Sequence, residues 1–378
     1  MKNAVWVAPG YNTFNLGDVL LYTVTKEYFS DKVELILSPT NRVLDENFIR
    51  KSKNLIIGPG GILVGTAGAR ILYEKVINDA SLKMLDGYGI KFHVWSSGIL
   101  HEPDEKQRKL STEILTRSRF ISTRARIEIE NIKKIAPTSN PLFAPCATLF
   151  MDRIFRGQLS EHQKSDIVVL NIPDNYFDGN MYLRNPFMRF VDYARSEGLQ
   201  CVLMSNCANN DTSLDMLRNF NLLQRDSTLE SILIDYYEAL SKDKDSYPFS
   251  KLSTTIRKWG SENSDSMPGR YDNCRFAFGR RLHGWLPFFS FDIPSAFLGI
   301  QARRGMPFDY FGNDDFLCKV PTKAENIQDL HSIADGMIEK LKFFITNETL
   351  LSARIAARRE ELWETFQLCA AKLVDSLE

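Results

Sequence analysis

The chain has 378 residues, 44% of them hydrophobic and 25% charged, a balance that argues against a disordered or fibrous protein and predicts more than one folded core. Lys plus Arg and Asp plus Glu number 47 each, so the net charge is zero and a basic domain that coats nucleic acid finds no support. No stretch reaches the ~20 apolar residues needed to cross a bilayer.

After Met1-Lys2-Asn3, the apolar run Ala4 to Ala8 is too short for a signal-peptide core, so a cytoplasmic protein is expected, one free to touch a membrane peripherally. That run reads as a strand. It leads into Pro9-Gly10-Tyr11-Asn12-Thr13-Phe14-Asn15-Leu16-Gly17-Asp18, and Val19 to Phe29 then has helical spacing. Asp18 sits where an N-cap would be, and its carboxylate is compatible with that role alone. The functional reading has Asn15, Gly17 and Asp18 lining a pocket for sugar hydroxyls.

Val33 to Leu37 is the second expected strand, and Asn54 to Ile57 the third. The third ends in Gly58-Pro59-Gly60-Gly61, which is not the dinucleotide fingerprint; glycines here suit either a tight turn or close approach of a ligand. Phe92 to Gly98 and Phe120 to Arg124 repeat the theme of an apolar strand ending in small or basic residues. Helical segments such as Lys106 to Thr116 fall between, and Leu142 to Cys146 closes the first half. Alternating strand and helix, with ligand-type residues at strand ends, predicts a parallel doubly wound sheet.

The polar stretch from about 152 to 165 reads as a linker. A second α/β series follows, with strands over Ile167–Asn171, Gly198–Met204 and Ser295–Ile300. Residues 205–211 and 240–270 read as polar loops, the longer one a candidate cover. Ala324 to Phe344 and Leu350 to Leu377 are helical. The six cysteines, Cys146, Cys201, Cys207, Cys274, Cys318 and Cys369, form no C-x-x-C pair and complete no zinc pattern, so they read as buried thiols and no metal is expected.

The stretch richest in chemistry is Phe276-Ala277-Phe278-Gly279-Arg280-Arg281-Leu282-His283-Gly284-Trp285. An apolar strand stops at two arginines, a histidine and a glycine, and the apolar run Trp285 to Phe291 then reads as a helix start. The carboxyl end of a strand before a helix N-terminus suits an anion. Two guanidiniums add forked donors that match phosphate or carboxylate, and the imidazole adds a group that titrates near neutral pH. The competing reading makes Arg280 and Arg281 surface charges and His283 a hydrogen-bonded structural residue.

These motifs, in this order, resemble those of the polysaccharide pyruvyl transferases. Asn15-Leu16-Gly17-Asp18 is similar to the family's Asn-x-Gly-Asp loop, Gly58-Pro59-Gly60-Gly61 to its Gly-Gly strand end, and Ile121-Ser122-Thr123-Arg124 to its Ser-x-Arg strand end. Arg281-Leu282-His283-Gly284 with Asp292-Ile293-Pro294 is similar to its Arg-x-His block and downstream proline. The resemblance covers roughly residues 5 to 312. The chain departs from the pattern at Cys146 and Ala125, where aspartate is common, and at Arg303, where lysine is common and Arg304 stands beside.

The resemblance implies two Rossmann-like α/β domains with a central cleft, similar to GT-B glycosyltransferases. The expected division is 1–155 for an acceptor-side domain and 166–345 for a donor-side domain, with the helix of about 350–378 packing back on the first. It implies phosphoenolpyruvate as co-substrate, no cofactor, and transfer of the enolpyruvyl group onto two hydroxyls of a sugar or lipid-linked saccharide. The product would be a pyruvate ketal in capsule, exopolysaccharide or cell-wall polysaccharide biosynthesis at the inner face of the membrane. Arg124, Arg281, Leu282, His283 and Arg303, with Arg280 beside them, are the candidate donor-binding residues. His283, Arg281 and Asp18 are the candidate catalytic residues, and Asn15, Gly17, Asp18, Gly60 and Gly61 the candidate acceptor site. Two alternatives stay open: a glycosyltransferase using a nucleotide sugar, and a non-catalytic sugar-binding subunit of a polysaccharide assembly complex.

Overall fold

The structure is a computed structural model, and it describes residues 1–8, 16–39, 44, 46–64, 76–99, 103–155, 165–172, 186–204, 271–299, 305–321 and 324–378. Asn15, Cys207, Arg303, Arg304 and the expected loops at 205–211 and 240–270 lie outside the described residues, as does most of the expected linker. By internal contacts the chain divides into two units: Met1–Asn12, Leu21–Ala147 and Glu360–Glu378 form the first, and Thr13–Leu20 and Thr148–Arg359 form the second.

The first unit is built on a parallel sheet. Its strands are β1 (Lys2–Ala8), β2 (Val33–Pro39), β3 (Asn54–Ile57), β5 (Lys91–Val94), β7 (Ser118–Thr123) and β8 (Leu142–Phe143), in the order β2-β1-β3-β5-β7-β8. Every residue of β3 is buried, as the unbroken apolar run Leu55-Ile56-Ile57 requires of a strand covered on both faces. Val5, Val7, Leu55, Ile57, Phe92, Val94, Ile114 and Ile132 share one core cluster.

Two further strands were not expected. Gly60–Val64 (β4) and Ser97–Ile99 (β6) pair in parallel with each other, with Gly60 opposite Ser97. Glycines and serines carry little strand propensity, so the sequence reads as turns; the ladder forms because the ends of β3 and β5 already lie side by side. The closing stretch of the chain adds to this unit, where Phe366 packs edge-on against Tyr28 and Trp95, at 4.7 and 5.6 Å between ring centroids.

The second unit carries β9 (Ile167–Asn171), β10 (Gln200–Leu203), β11 (Phe276–Gly279), β12 (Ser295–Leu298) and β13 (Leu317–Cys318), all parallel in the order β10-β9-β11-β12-β13. Its core is aromatic. Phe278 of the central strand meets Phe190 at 5.4 Å and Phe344 at 5.8 Å, on opposite sides of the chain order. Phe344 belongs to the long last helix, Ile327–Ser376, which is interrupted at Asn347 (φ −115°, ψ 16°). Asn347 Nδ2 donates to the Phe343 carbonyl at 2.9 Å, the local competition with helix bonding expected of asparagine.

Two local expectations are corrected. Helix α1 spans Leu16–Phe29, so Asp18 lies within the first helical turn and is not an N-cap. The segment after β11 is not the start of an α-helix. It is a 3-10 turn, Leu282–Gly284, followed by a 3-10 stretch, Leu286–Phe291, that begins beside Pro287 and stops at Asp292 in the left-handed region (φ 55°). Proline at 287 contributes no N–H, and Asp292 reverses the chain before an α-helical ladder can extend. The helix-dipole argument for an anion therefore does not apply at this strand end.

Candidate functional site

The second unit brings together the two motifs that are farthest apart in the sequence. Gly17, in the first turn of α1, packs directly on the imidazole of His283. A Cβ placed on Gly17 would fall 2.8 Å from His283 Nδ1, 2.9 Å from its Cβ and 3.1 Å from its Cγ. Only a residue with no side chain allows that approach. Asp18, the next residue, is half-buried, and its carboxylate in the first helical turn is favoured by the exposed N–H dipoles there.

His283 itself is buried, at 7% exposure. Its main chain is fixed by Tyr271, whose hydroxyl donates to the His283 carbonyl at 2.9 Å. Tyr271 is fully buried and packs edge-on against Phe288 at 5.0 Å, so the phenol cannot swing away. The Gly284 N–H closes the turn on the Arg281 carbonyl at 2.8 Å. The ring atoms nearest Gly17 are those at its base and its Nδ1 edge, and Nε2 is the tip farthest from Cβ. Arg280 and Arg281 are half-buried, and the Arg280 N–H donates to the Asn171 carbonyl at 2.9 Å.

Arg124 belongs to the first unit. It follows β7 directly and is buried at 3% exposure. The fully buried Glu128 holds its main chain: Oε2 accepts the N–H groups of Arg124 and Ala125, each at 3.1 Å. Polar bonds tie the end of β5 to β7 on one side and to the end of β3 on the other. The Ser96 N–H donates to Ser122 Oγ at 2.9 Å, and the Gly60 N–H donates to the Ser96 carbonyl at 3.2 Å. Gly60 is thus buried within β4 with its backbone donor engaged, and Gly61 beside it is half-buried.

Sequence reasoning passed over three residues that shape these segments. Glu128 was legible as the third residue after the helix N-cap Ala125, the position from which an acid reaches back to orphan N–H groups. Tyr271 had no signal, because it falls just past the expected loop at 240–270 and before β11. Asn171 had a weak one, being the polar end of the apolar run Ile167–Leu170. Cys146, where the sequence departs from the resembled pattern, is fully buried.

A family model for polysaccharide pyruvyl transferases matches residues 15–301. No curated protein matches the chain. Among solved structures, an uncharacterized protein of Klebsiella pneumoniae is similar at 13% identity, covering 85% of this chain and 92% of its own, with a TM-score of 0.44. The MnaA protein of S. aureus with UDP is similar at 10% identity, covering 94% and 91%, with a TM-score of 0.44. The UDP-GlcNAc 2-epimerase of Methanocaldococcus jannaschii is similar at 10% identity, covering 89% and 93%, with a TM-score of 0.40.

Proposed function

The chain belongs to the polysaccharide pyruvyl transferase family, and from that premise we propose that it transfers the enolpyruvyl group of phosphoenolpyruvate to two hydroxyls of one sugar, forming a pyruvate ketal. The observation that carries the reading is the packing of Gly17 on the His283 ring, which joins the Asn-x-Gly-Asp and Arg-x-His motifs in one place.

In this scheme His283 is the proton donor to the methylene carbon of the enol. The adjacent carbon becomes electrophilic and the first sugar hydroxyl adds to it. The bond from that carbon to the bridging oxygen breaks, and inorganic phosphate leaves with the electron pair. The second hydroxyl adds to the resulting oxocarbenium carbon and closes the ring. The two hydroxyl protons leave through Asp18 or water, and one proton is retained as the third hydrogen of the methyl group. Arg281, with Arg280, Arg124 and Arg303, supplies cationic donors for the donor's phosphate and carboxylate. Asp18, Asn15 and Gly17 orient the acceptor hydroxyls, and Gly60 and Gly61 are further candidate acceptor residues. No step calls for a metal.

The acceptor is a sugar or a lipid-linked saccharide, and the reaction belongs on the cytoplasmic side of a membrane where such intermediates are built. No helix among the described residues is long and apolar enough to cross a membrane, which is compatible with peripheral association.

The test is release of inorganic phosphate from phosphoenolpyruvate with diol-bearing saccharides, read together with a mass gain on the acceptor. The His283→Ala variant is expected to lose transfer by about 10²–10⁴-fold while still binding the donor. Turnover of a nucleotide sugar with no response to phosphoenolpyruvate would replace this reading with a glycosyltransferase.

A further inference from the structure

Asn171 closes the apolar strand β9, next to the central strand β11, and is 1% exposed. It touches both ends of the Arg-x-His segment by different parts of itself. Its backbone carbonyl accepts the Arg280 N–H at 2.9 Å. Its side chain lies against the backbone of Gly284: a Cβ built there would meet Asn171 Oδ1, with Cγ at 2.5 Å and Cβ at 2.8 Å. The carboxamide cannot yield, because Nδ2 donates to the Met204 carbonyl at 2.8 Å, just beyond β10. Oδ1 is buried with no hydrogen-bond partner among the described residues, so packing on Gly284 and the bond to Met204 set its place.

A buried acceptor without a partner is costly, and a carboxamide at a strand end is worth that cost when it fixes something else. What it fixes here is the far end of a segment of five residues whose fourth is His283. Gly284 leads straight out of the histidine, and His283 is gripped on its other side by Gly17.

We infer that Asn171 is a positioning residue for His283, acting through Gly284, and that its side chain sets the reactive imidazole while its backbone carbonyl independently sets the arginine end of the segment. This rests on the reading of His283 as the proton donor. The division of labour makes a specific demand. Removing the carboxamide leaves the backbone bond to Arg280 in place, so donor binding and turnover must separate.

The experiment compares Asn171→Ala, Gly284→Ala and the double variant Asn171→Gly with Gly284→Ala. Asn171→Ala is expected to lower kcat by at least about tenfold, as a sub-ångström misplacement of a reacting group does, with the dissociation constant for phosphoenolpyruvate within about twofold. Gly284→Ala is expected to show the same split, and the double variant, which removes the atoms the new methyl would strike, to recover part of the kcat lost in Gly284→Ala. The His283 ring resonances, assigned among the five histidines by a His283→Gln variant, are expected to move in Asn171→Ala while the other four stay.

Unmoved His283 resonances, unchanged kcat, or donor affinity lost in step with kcat would each overturn the inference. The ring resonances and the unfolding midpoints of the three variants are read without turnover. If the unmodified protein releases no phosphate from phosphoenolpyruvate, the proposed reaction fails while the coupling of Asn171 to His283 is still decided. A Gly284→Ala that fails to fold, with the double variant folding, supports the contact; both failing alike would refute it.

Discussion

Gly17 and His283 are 266 positions apart in the chain, and the first has no side chain because the second occupies the space. A methyl group at Gly17 would lie 2.8 Å from Nδ1 and 2.9 Å from the histidine Cβ, whereas carbon atoms rest at about 3.5–4.0 Å. The ring must therefore retreat by roughly 0.7 Å or the helix must lift.

Gly17→Ala sets two effects against each other. Alanine inside a helix is favoured over glycine by about 1 kcal/mol. The clash falls on the base of the ring and the Cβ, which cannot rotate out of the way as a flexible tip would. Stability is expected to change by less than about 1 kcal/mol, because the two effects oppose, while kcat falls by about 10–100-fold through displacement of the imidazole. Thermal unfolding and steady-state kinetics on one preparation decide it. A variant with full kcat would separate His283 from the Asn-x-Gly-Asp motif.

Glu128 makes a different kind of prediction, because its carboxylate is fully buried and two main-chain N–H groups depend on it. Hydrogen bonds to a charged group contribute about 1.5–3 kcal/mol each, and Glu128→Ala also leaves both donors buried. A loss of about 2–4 kcal/mol of stability is expected, and the role proposed for Arg124 adds the expectation of weaker phosphoenolpyruvate binding. Glu128→Gln keeps one oxygen acceptor and is expected to recover about half of the loss. Chemical denaturation and phosphoenolpyruvate titration check both, and an unchanged affinity would remove Arg124 from the proposed donor-binding residues.

The strands that were legible are apolar runs with both faces covered, as in Ile167–Leu170 and Leu55–Ile57, whereas β4, β6 and the two-residue β13 were not read. The break in the last helix was legible too, since Asn347 falls between two helical patterns. What could not be read was anything set by contact across the chain. Leu16-Gly17 looks like loop, because glycine is a poor helix former; it opens α1, and a glycine stands there because nothing larger fits beside His283. Trp285 to Phe291 looks like a helix, because apolar residues at that density usually are; Pro287 and the left-handed Asp292 confine it to 3-10 turns. Asn171 is one polar residue at a strand end, and only the approach of Gly284 shows why a carboxamide stands there.

His93 predicts a pH dependence of stability separate from catalysis. It is fully buried in β5, and Nδ1 lies 3.0 Å from Ser376 Oγ near the end of the last helix. Burial, with the Arg119 guanidinium adding to it, pushes the imidazole down from 6.5 to about 4, against the opposing pull of Glu378. The folded state therefore resists a proton that the unfolded chain accepts readily. Stability is fully present above pH 6.5 and is lost as pH falls from there toward 4. The loss amounts to roughly 3 kcal/mol at 1.36 kcal/mol per unit. Urea unfolding at pH 7 and pH 4.5 measures it, and His93→Gln is expected to flatten the difference. An equal slope in that variant would place the acid sensitivity elsewhere.

Arg359 lies on the last helix and is 3% exposed. Within the second unit its Nη1 donates to Asp292 Oδ1 at 2.7 Å, its Nε donates to the Leu149 carbonyl at 3.2 Å, and its Nη2 reaches Asp152 Oδ1. One guanidinium thus ties the helix to the residue that ends the 3-10 stretch after His283. Burial dominates at Asp152 and holds its carboxyl above the usual range despite Arg359 beside it, so this carboxylate depends on its partner for what ionisation it keeps. Removing the arginine would leave a desolvated acid facing a second one. Loss of one partner from a buried pair costs about 3–5 kcal/mol, and because both aspartates are partly exposed a loss of about 2–3 kcal/mol is expected for Arg359→Met. Arg359→Lys keeps the charge but loses the planar fork, and is expected to recover less than half. The same variants are expected to lower kcat modestly, because Asp292 ends the stretch that begins beside His283. Unfolding in urea reads the first effect and phosphate release the second. Arg359→Met matching the unmodified protein in stability would mean that water, rather than the guanidinium, satisfies the two acids.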